Sequence, residues 1–564
     1  MQLALRPLNG MARMARKRKN KPSRQKPPTV NQRLRADARQ GSAQRKSASG
    51  PLKIPIADVR IDKAQAAWHK GLFEEAIWFY ERALARDPHN PILLVDVARA
   101  YALRYRFADA EKLINLATAL HPDDARLQRM LGHSYQQLQQ FDRAIDCFSR
   151  SLAIDPGSPD RSQILVELAK MHERLHDLGI AHQHATEATS IAPKFHLAHY
   201  VLANIERRAG ETKSAEIRWK QLIEQHGVSR GVVADSWYQL AALYDKSGRF
   251  DEAYDALTRA KNIFGEAATP YRDEAWTISR AAGRSLAAFN SEFAERWMTA
   301  GATLAPLGNN LAILTSHPRS GTTLLEQVLD SHPAAISADE IQVLSDLVYI
   351  PLGQKANSTD PVPDVLDRTS LDDLNHARFT YVKGMEGALR EPINGRLLID
   401  KNPEMTMLLP VVARVFPEMK VLFALRDPRD VVISCFSQQL PLNPVSVHYL
   451  TLEDTAKKYV KTMQAWLKLR GILRNPWIEI RYEDMVADLE AQSRKALEFL
   501  GLPWDDCVLE YHRRAQKKHV HSPTYEAVTK PVYSSSIGRW RNYAQHLEPY
   551  QEMLQPFVDA FGYE

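Results

Sequence analysis

Arg319, Ser320, Gly321, Thr322 and Thr323 stand in a row between an apolar run, LAILTS (311–316), and a helical pattern, TTLLEQVLDSH. A strand, a turn of small and hydroxyl residues and then a helix make an anion cradle. The first N–H groups of a helix have no intrahelical partner, so they are free to point at a negative ligand. A magnesium triphosphate loop would read G-x-x-x-x-G-K-[ST], with its lysine reaching the terminal phosphates. Here Thr322 follows Gly321 where that lysine would stand, Ser316 takes the place of the first glycine, and Arg319 is the one cation. A P-loop kinase is the disfavoured alternative for such a loop.

Three more polar groups follow apolar runs in the same way: Lys401 follows RLLID (396–400), Arg426 follows KVLFAL within 420–428, and Tyr482 lies in WIEIRYED (477–484), while Glu340 ends SADE. Ser434 comes eight residues after Arg426, and Arg539 precedes Trp540 in KPVYSSSIGRW (530–540). The runs at 311–316, 396–400, 420–428 and 477–484 are strand candidates, each followed by helical spacing. Their alternation argues a parallel sheet covered on both faces. In such sheets ligands collect outside the carboxyl ends of the strands, where the groups that follow these runs fall.

PRSGTTLLEQVLDSHP followed by SADE, then DKNP, LRDPRDVVISCF, RYEDM and KPVYSSSIGRW, resembles the protein-tyrosine sulfotransferase family. The resemblance covers about residues 308–545. It implies an α/β, P-loop-like parallel-sheet domain that uses PAPS as sulfuryl donor and no metal. It implies Glu340 as the base, with Lys401 and Arg319 as catalytic cations. Arg319, Ser320, Gly321, Thr322 and Thr323 would grip the 5′-phosphosulfate. Arg426 and Ser434 would take the 3′-phosphate, Tyr482 would touch the donor, and Arg539 would be a lid cation. The expected acceptor is a hydroxyl, first of all tyrosine in a protein or peptide. Sulfation of a small molecule, lipid or glycan is the rival, and a non-catalytic scaffold with a nucleotide-binding domain is a third reading. Asp339 or Glu340 could instead cap the next helical stretch, IQVLSDLV. His317 is read as a loop-packing residue.

The elements before residue 265 have a different grammar. GLFEEAIWFYERALARDP, YRFADAEKLINLATALHP and QQFDRAIDCFSRSLAIDP superpose without gaps, and Pro88, Pro122 and Pro156 recur every 34 residues. This resembles tetratricopeptide repeats. Phe73, Ala76, Tyr80 and Ala83 have counterparts in Phe107, Ala110, Ile114 and Ala117, and in Phe141, Ala144, Phe148 and Ser151. Weaker copies place their alanine at Ala181, Ala215 and Ala253, and Gly132 and Tyr135 fall where two helices of a copy meet. A helix pair cannot bury its apolar stripe alone, so copies stack into an α-solenoid. The expected order is a basic tail (1–55), about six repeats (56–265), a helical linker (266–305) and the sheet domain (306–564). The array would bind a protein or peptide, or only scaffold the chain as a homo-oligomer. HERLH (172–176) matches a zinc-protease motif, but it falls inside a repeat helix without an evident third ligand, so no metal is expected.

Charge is divided as unevenly as structure. Residues 1–50 hold 14 Lys/Arg and one acid, a net of +13, so the rest of a +7 chain carries −6. The tail has too few apolar residues to fold alone and could meet an anionic partner such as nucleic acid or lipid. It lacks the apolar core of a secretory signal. No run of about 18 apolar residues suggests a membrane span. Three scattered cysteines, Cys147, Cys435 and Cys507, form no disulfide framework, which fits a cytoplasmic setting.

Overall fold

The computed structural model describes residues 59–138, 140–353, 360–515 and 536–564. The basic tail and the Lys530-Pro-Val stretch lie outside the described residues. The chain divides into two compact units, described from Val59 to Leu222 and from Ile223 to Glu564.

The first unit is a stack of helix pairs: α1 (Val59–His69) with α2 (Phe73–Leu84), α3 (Pro91–Ala102) with α4 (Phe107–Leu120), α5 (Ala125–Gln137) with α6 (Phe141–Ile154), α7 (Arg161–Arg174) with α8 (Leu178–Ile191), and α9 (His196–Arg208) with α10 (Thr212–Glu224). The helices α2, α4 and α6 begin at the aromatic residue of each copy. Ala76, Ala110, Ala144, Ala181 and Ala215 are wholly buried, as helix approach at those positions requires. Gly132 shows how tight that approach is. A Cβ there would lie 2.7 Å from the Phe148 ring. Asn90 and Asp124 cap α3 and α5 through Leu93 N and Leu127 N at 3.1 and 2.8 Å, satisfying helix-end donors left by the preceding turn.

HERLH lies at the end of α7. Arg208 holds Glu173 and donates to His176 Nδ1 at 2.9 Å, while the rings of His172 and His184 face each other at 5.6 Å. Among the described residues no group of three or more His, Cys, Asp or Glu side chains is arranged to hold a metal ion.

The second unit opens with a further helix pair, α11 (Arg230–Lys246) and α12 (Phe250–Asn262), in which Ala253 is wholly buried. Helices α13 (Thr269–Ala288) and α14 (Ser291–Gly301) follow. Then come five parallel strands: β1 (Leu311–Thr315), β2 (Ala335–Asp339), β3 (Leu397–Lys401), β4 (Lys420–Leu425) and β5 (Trp477–Arg481). Their order is β2-β3-β1-β4-β5. Four strands occupy the expected runs. The fifth, β2, is AISAD, whose small residues gave little strand signal beyond Ile336. It is nevertheless buried along its whole length and pairs with β3 from Ala335↔Leu397 to Asp339↔Lys401.

Helices α15 (Thr322–Asp330) and α19 (Leu489–Leu500) cover one face through Leu325, Val328, Leu329, Leu497 and Leu500, packed on Leu314, Ile399, Leu422 and Ile480. Between them in the chain run α16 (Leu371–Leu389), α17 (Pro428–Phe436) and α18 (Leu452–Arg470), and α20 (Gln551–Ala560) lies near the end. From β1 the chain moves to β2 on one side, and from β4 to β5 on the other. Connections leaving neighbouring strands in opposite directions open a crevice between β1 and β4, the usual ligand position in open sheets. No described helix is long and apolar enough to cross a membrane.

Candidate active site

The loop after β1 is fixed from below. Ser316 donates to the Ala424 carbonyl, and Thr406 donates to the Ser316 carbonyl at 2.9 Å, so β4 and the turn after β3 both hold it. His317 is wholly buried, with Nδ1 3.0 Å from the Pro318 carbonyl and its ring 5.3 Å from that of Tyr459. Burial pushes its imidazole down to about 4, so it is a neutral packing group.

Above this floor the backbone turns sharply. Arg319 has φ 72° and Gly321 φ 92°. The left-handed region costs a non-glycine residue on the order of 1 kcal/mol, and strain of that kind gathers at functional sites. Gly321 is also compelled by space, since a Cβ would lie 2.6 Å from Tyr482 Cδ2. Thr322 and Thr323 open α15 and are buried, as is Ser320, whose Oγ has no hydrogen-bond partner.

Arg319 reaches across the crevice. Its Nε donates to Ser434 Oγ at 3.1 Å on α17. Arg426, at the end of β4, donates from Nη1 to the Arg319 carbonyl at 3.2 Å, and its guanidinium stacks 5.0 Å from the Tyr482 ring. Arg426 Nε is buried and without a partner. Asp430, one helical turn on, lies 3.8 Å from Arg426. Arg319, Ser434, Arg426, Gly321 and Tyr482, whose outermost members are 163 positions apart in sequence, therefore form one cluster.

A second cluster occupies the ends of β2 and β3. Lys401 is wholly buried and forms ion pairs with Asp339 and, at 3.0 Å, with Glu340 Oε1. Burial alone would pull this ammonium down. The charges of Asp339, Glu340 and Glu326 outweigh burial and hold its pKa above the ordinary lysine range. Glu340 has φ 55°, and its N–H donates to the Lys401 carbonyl at 2.7 Å. Neither Asp339 nor Glu340 caps the next helical segment, which begins after Val343 without a side-chain cap. In the sequence Asp339 is legible only as a cap candidate. Its place opposite Lys401 follows from β2, the strand that local pattern did not reveal.

Arg539 joins neither cluster directly. Its Nη2 donates to Asp245 Oδ1 of α11 at 2.8 Å.

The clusters lie at the ends of adjacent strands, since β1 pairs with β3 through Leu314↔Lys401 and with β4 through Thr315↔Phe423. One presents buried donors and two arginines suited to an anion. The other presents a carboxylate at a buried ammonium, suited to accepting a proton beside a fixed positive charge.

Residues 312–506 match the family model described as the sulfotransferase family, and residues 67–134, 123–194 and 234–264 match tetratricopeptide-repeat models. An uncharacterized protein of Aquifex aeolicus (strain VF5) is 24% identical over 406 residues, 70% of this chain and 51% of its own length. Protein-tyrosine sulfotransferase A of Caenorhabditis elegans is 24% identical over 253 residues, 44% of this chain and 65% of its own length. The chain thus spans less than two thirds of either relative. Among solved structures, the sulfotransferase domain from the Synechococcus PCC 7002 olefin synthase is 21% identical, covers 45% of this chain and 97% of that one, and gives a TM-score of 0.31. By the matches over its two parts, the chain joins tetratricopeptide repeats to a domain of the sulfotransferase family.

Proposed function

We propose that this protein transfers a sulfuryl group from PAPS to a hydroxyl acceptor, with tyrosine in a protein or peptide as the first candidate. The observation that carries the proposal is the apposition of the two clusters on neighbouring strand ends. An anion loop with Arg319, Arg426 and Ser434 faces the crevice from one side, and the Glu340–Lys401 pair ends β2 and β3 on the other.

The residues fit such a donor. PAPS, when bound, supplies a sulfuryl group on its 5′-phosphate and carries a separate 3′-phosphate. Arg319 and Ser320 to Thr323 would hold the 5′ end at the first turn of α15, where backbone N–H groups and the helix dipole favour negative charge. Arg426 and Ser434 would hold the 3′-phosphate, with Tyr482 as a further contact. The unpartnered buried Ser320 Oγ and Arg426 Nε are donors that such a ligand would satisfy. Arg539, held by Asp245 at 2.8 Å, would stand beside this set as a lid cation.

Glu340 accepts the proton of the acceptor hydroxyl, and Lys401 holds that carboxylate in place from 3.0 Å. Lys401 and Arg319 meet negative charge that develops as the sulfuryl bond loosens, a role in which fixed cations commonly contribute several kcal/mol. The repeat array is proposed to engage a protein or peptide, as tetratricopeptide repeats elsewhere suggest.

The names of the relatives favour tyrosine as acceptor. The test is transfer from PAPS to tyrosine peptides, run beside small phenols, lipids and glycans. Glu340→Gln is expected to keep binding of adenosine 3′,5′-bisphosphate and to lose transfer by about 100-fold or more. Full transfer in that variant would remove Glu340 from the mechanism. Transfer to small acceptors and to no peptide would move the substrate to the small-molecule class.

A further inference from the structure

The segment from Ser536 to His546 has two sides, and each is occupied. On one side it meets the cluster proposed to hold the donor. Arg426 donates from Nη2 to the Ser536 carbonyl, and Ser536 Oγ lies 2.7 Å from Tyr482 OH. Gly538 N and Trp540 N both donate to the Asp430 carboxylate, at 2.7 and 2.8 Å. On the other side the segment meets α11 and α12. Asp245 accepts from Arg539 Nη2 at 2.8 Å and from Tyr543 OH. The Phe250 ring meets the Tyr543 ring edge-on at 5.6 Å. Asp251 lies 3.1 Å from His546 Nε2, and the His546 ring stacks on Tyr254 at 3.7 Å.

Asp245 is oddly placed for a helix. It occupies the last turn of α11, where the dipole disfavours a carboxylate. Local helix chemistry does not account for it. Its two partners, both in the C-terminal segment, do.

We propose that Asp245 is a positioning residue for the sulfuryl-donor side of the site. Through Arg539 and Tyr543 it sets the segment whose other side orients Arg426 and Tyr482. The helix pair that carries it, although built on the repeat pattern, thereby serves the donor pocket. This inference rests on the sulfuryl-transfer reading, because it assigns Arg426 and Tyr482 to the donor.

The test uses the full chain with Asp245→Asn, Asp245→Glu and Tyr543→Phe. Calorimetry reads binding of adenosine 3′,5′-bisphosphate, kinetics read KM for PAPS against kcat, and thermal unfolding reads the fold. Asp245→Asn is expected to weaken bisphosphate binding and raise KM for PAPS by fivefold or more, with kcat at saturating PAPS within twofold. Tyr543→Phe should move the same quantities less, and Asp245→Glu should recover most of the loss. Unchanged bisphosphate binding in Asp245→Asn overturns the inference while leaving the sulfotransferase reading intact. So does a fall in kcat and in unfolding temperature with KM unmoved, in both Asp245→Asn and Tyr543→Phe. Absence of bisphosphate binding in the unaltered protein overturns the sulfuryl-transfer reading itself, and this inference with it.

Discussion

Gly132 in the repeats and Gly321 in the loop after β1 each leave no room for a Cβ, and the two cases differ in kind. At Gly132 the space is taken by Phe148, a residue of the same repeat copy, and the backbone there is ordinary helix. At Gly321 the space is taken by Tyr482, a residue 161 positions away, and the backbone is left-handed at φ 92°. In the repeats, helix-forming pattern, small residues at close approaches and core favour the same structure, as expected of a sequence selected to fold, and left-handed non-glycine backbone is confined to the turns at Tyr105 and His176. The strand ends combine such backbone with buried charge. Arg319 and Glu340 hold left-handed backbones, Lys401 is a fully buried ammonium, and Ser320 Oγ is a buried hydroxyl without a partner. Each costs stability on its own, and together they lie where an anion and a proton acceptor are needed.

The sharpest way to break that contrast is Arg319→Gly. If Arg319 is held for function, turnover should fall by about 100-fold or more, as when one charge-stabilising group is removed. The unfolding midpoint should stay close to that of the unaltered protein, because the relaxed left-handed position offsets lost contacts such as the hydrogen bond to Ser434. A fall in stability matching the loss of turnover would make Arg319 a structural residue. The counterpart in the repeats is Gly132→Ala. It should cost about 1–3 kcal/mol in urea unfolding, because the Phe148 ring must move to admit a methyl group. A neutral result would show that the helices part more easily than the packing implies.

A smaller and pH-dependent effect concerns Lys261 on α12. Its ammonium is 3% exposed and donates to the Tyr449 carbonyl at 2.7 Å, with the Phe436 ring 4.9 Å away. Burial pulls its pKa from the usual lysine value of 10.5 down to about 7. Between those values the unfolded chain binds more protons than the folded one, so this group adds stability as pH rises from about 7 and withdraws it as pH falls. Lys261→Met should flatten that dependence, on the order of 1 kcal/mol per pH unit, in urea midpoints measured at pH 7, 8 and 9. Parallel profiles for the two proteins would mean that Lys261 stays charged.

What could be read in advance follows the same division. The 34-residue period located the helices because each copy is specified by its own residues. Strands β1, β3, β4 and β5 were legible as apolar runs, and the loop from Arg319 to Thr323 as a phosphate-type turn. Strand β2 was not, because AISAD is strand by burial against β3 and not by propensity. With it went the Asp339–Lys401 pair. Arg539 was legible as a cation before a tryptophan, but its partner, Asp245, lies 294 positions away on a helix of repeat type. No local pattern signals a contact of that separation.

Sulfuryl transfer from PAPS is tested most simply by calorimetric binding of adenosine 3′,5′-bisphosphate against AMP, without magnesium, to the full chain. Micromolar binding that requires the 3′-phosphate, and that is lost in Arg426→Ala, is the predicted result. No binding, or preference for a magnesium triphosphate over the bisphosphate, would contradict it.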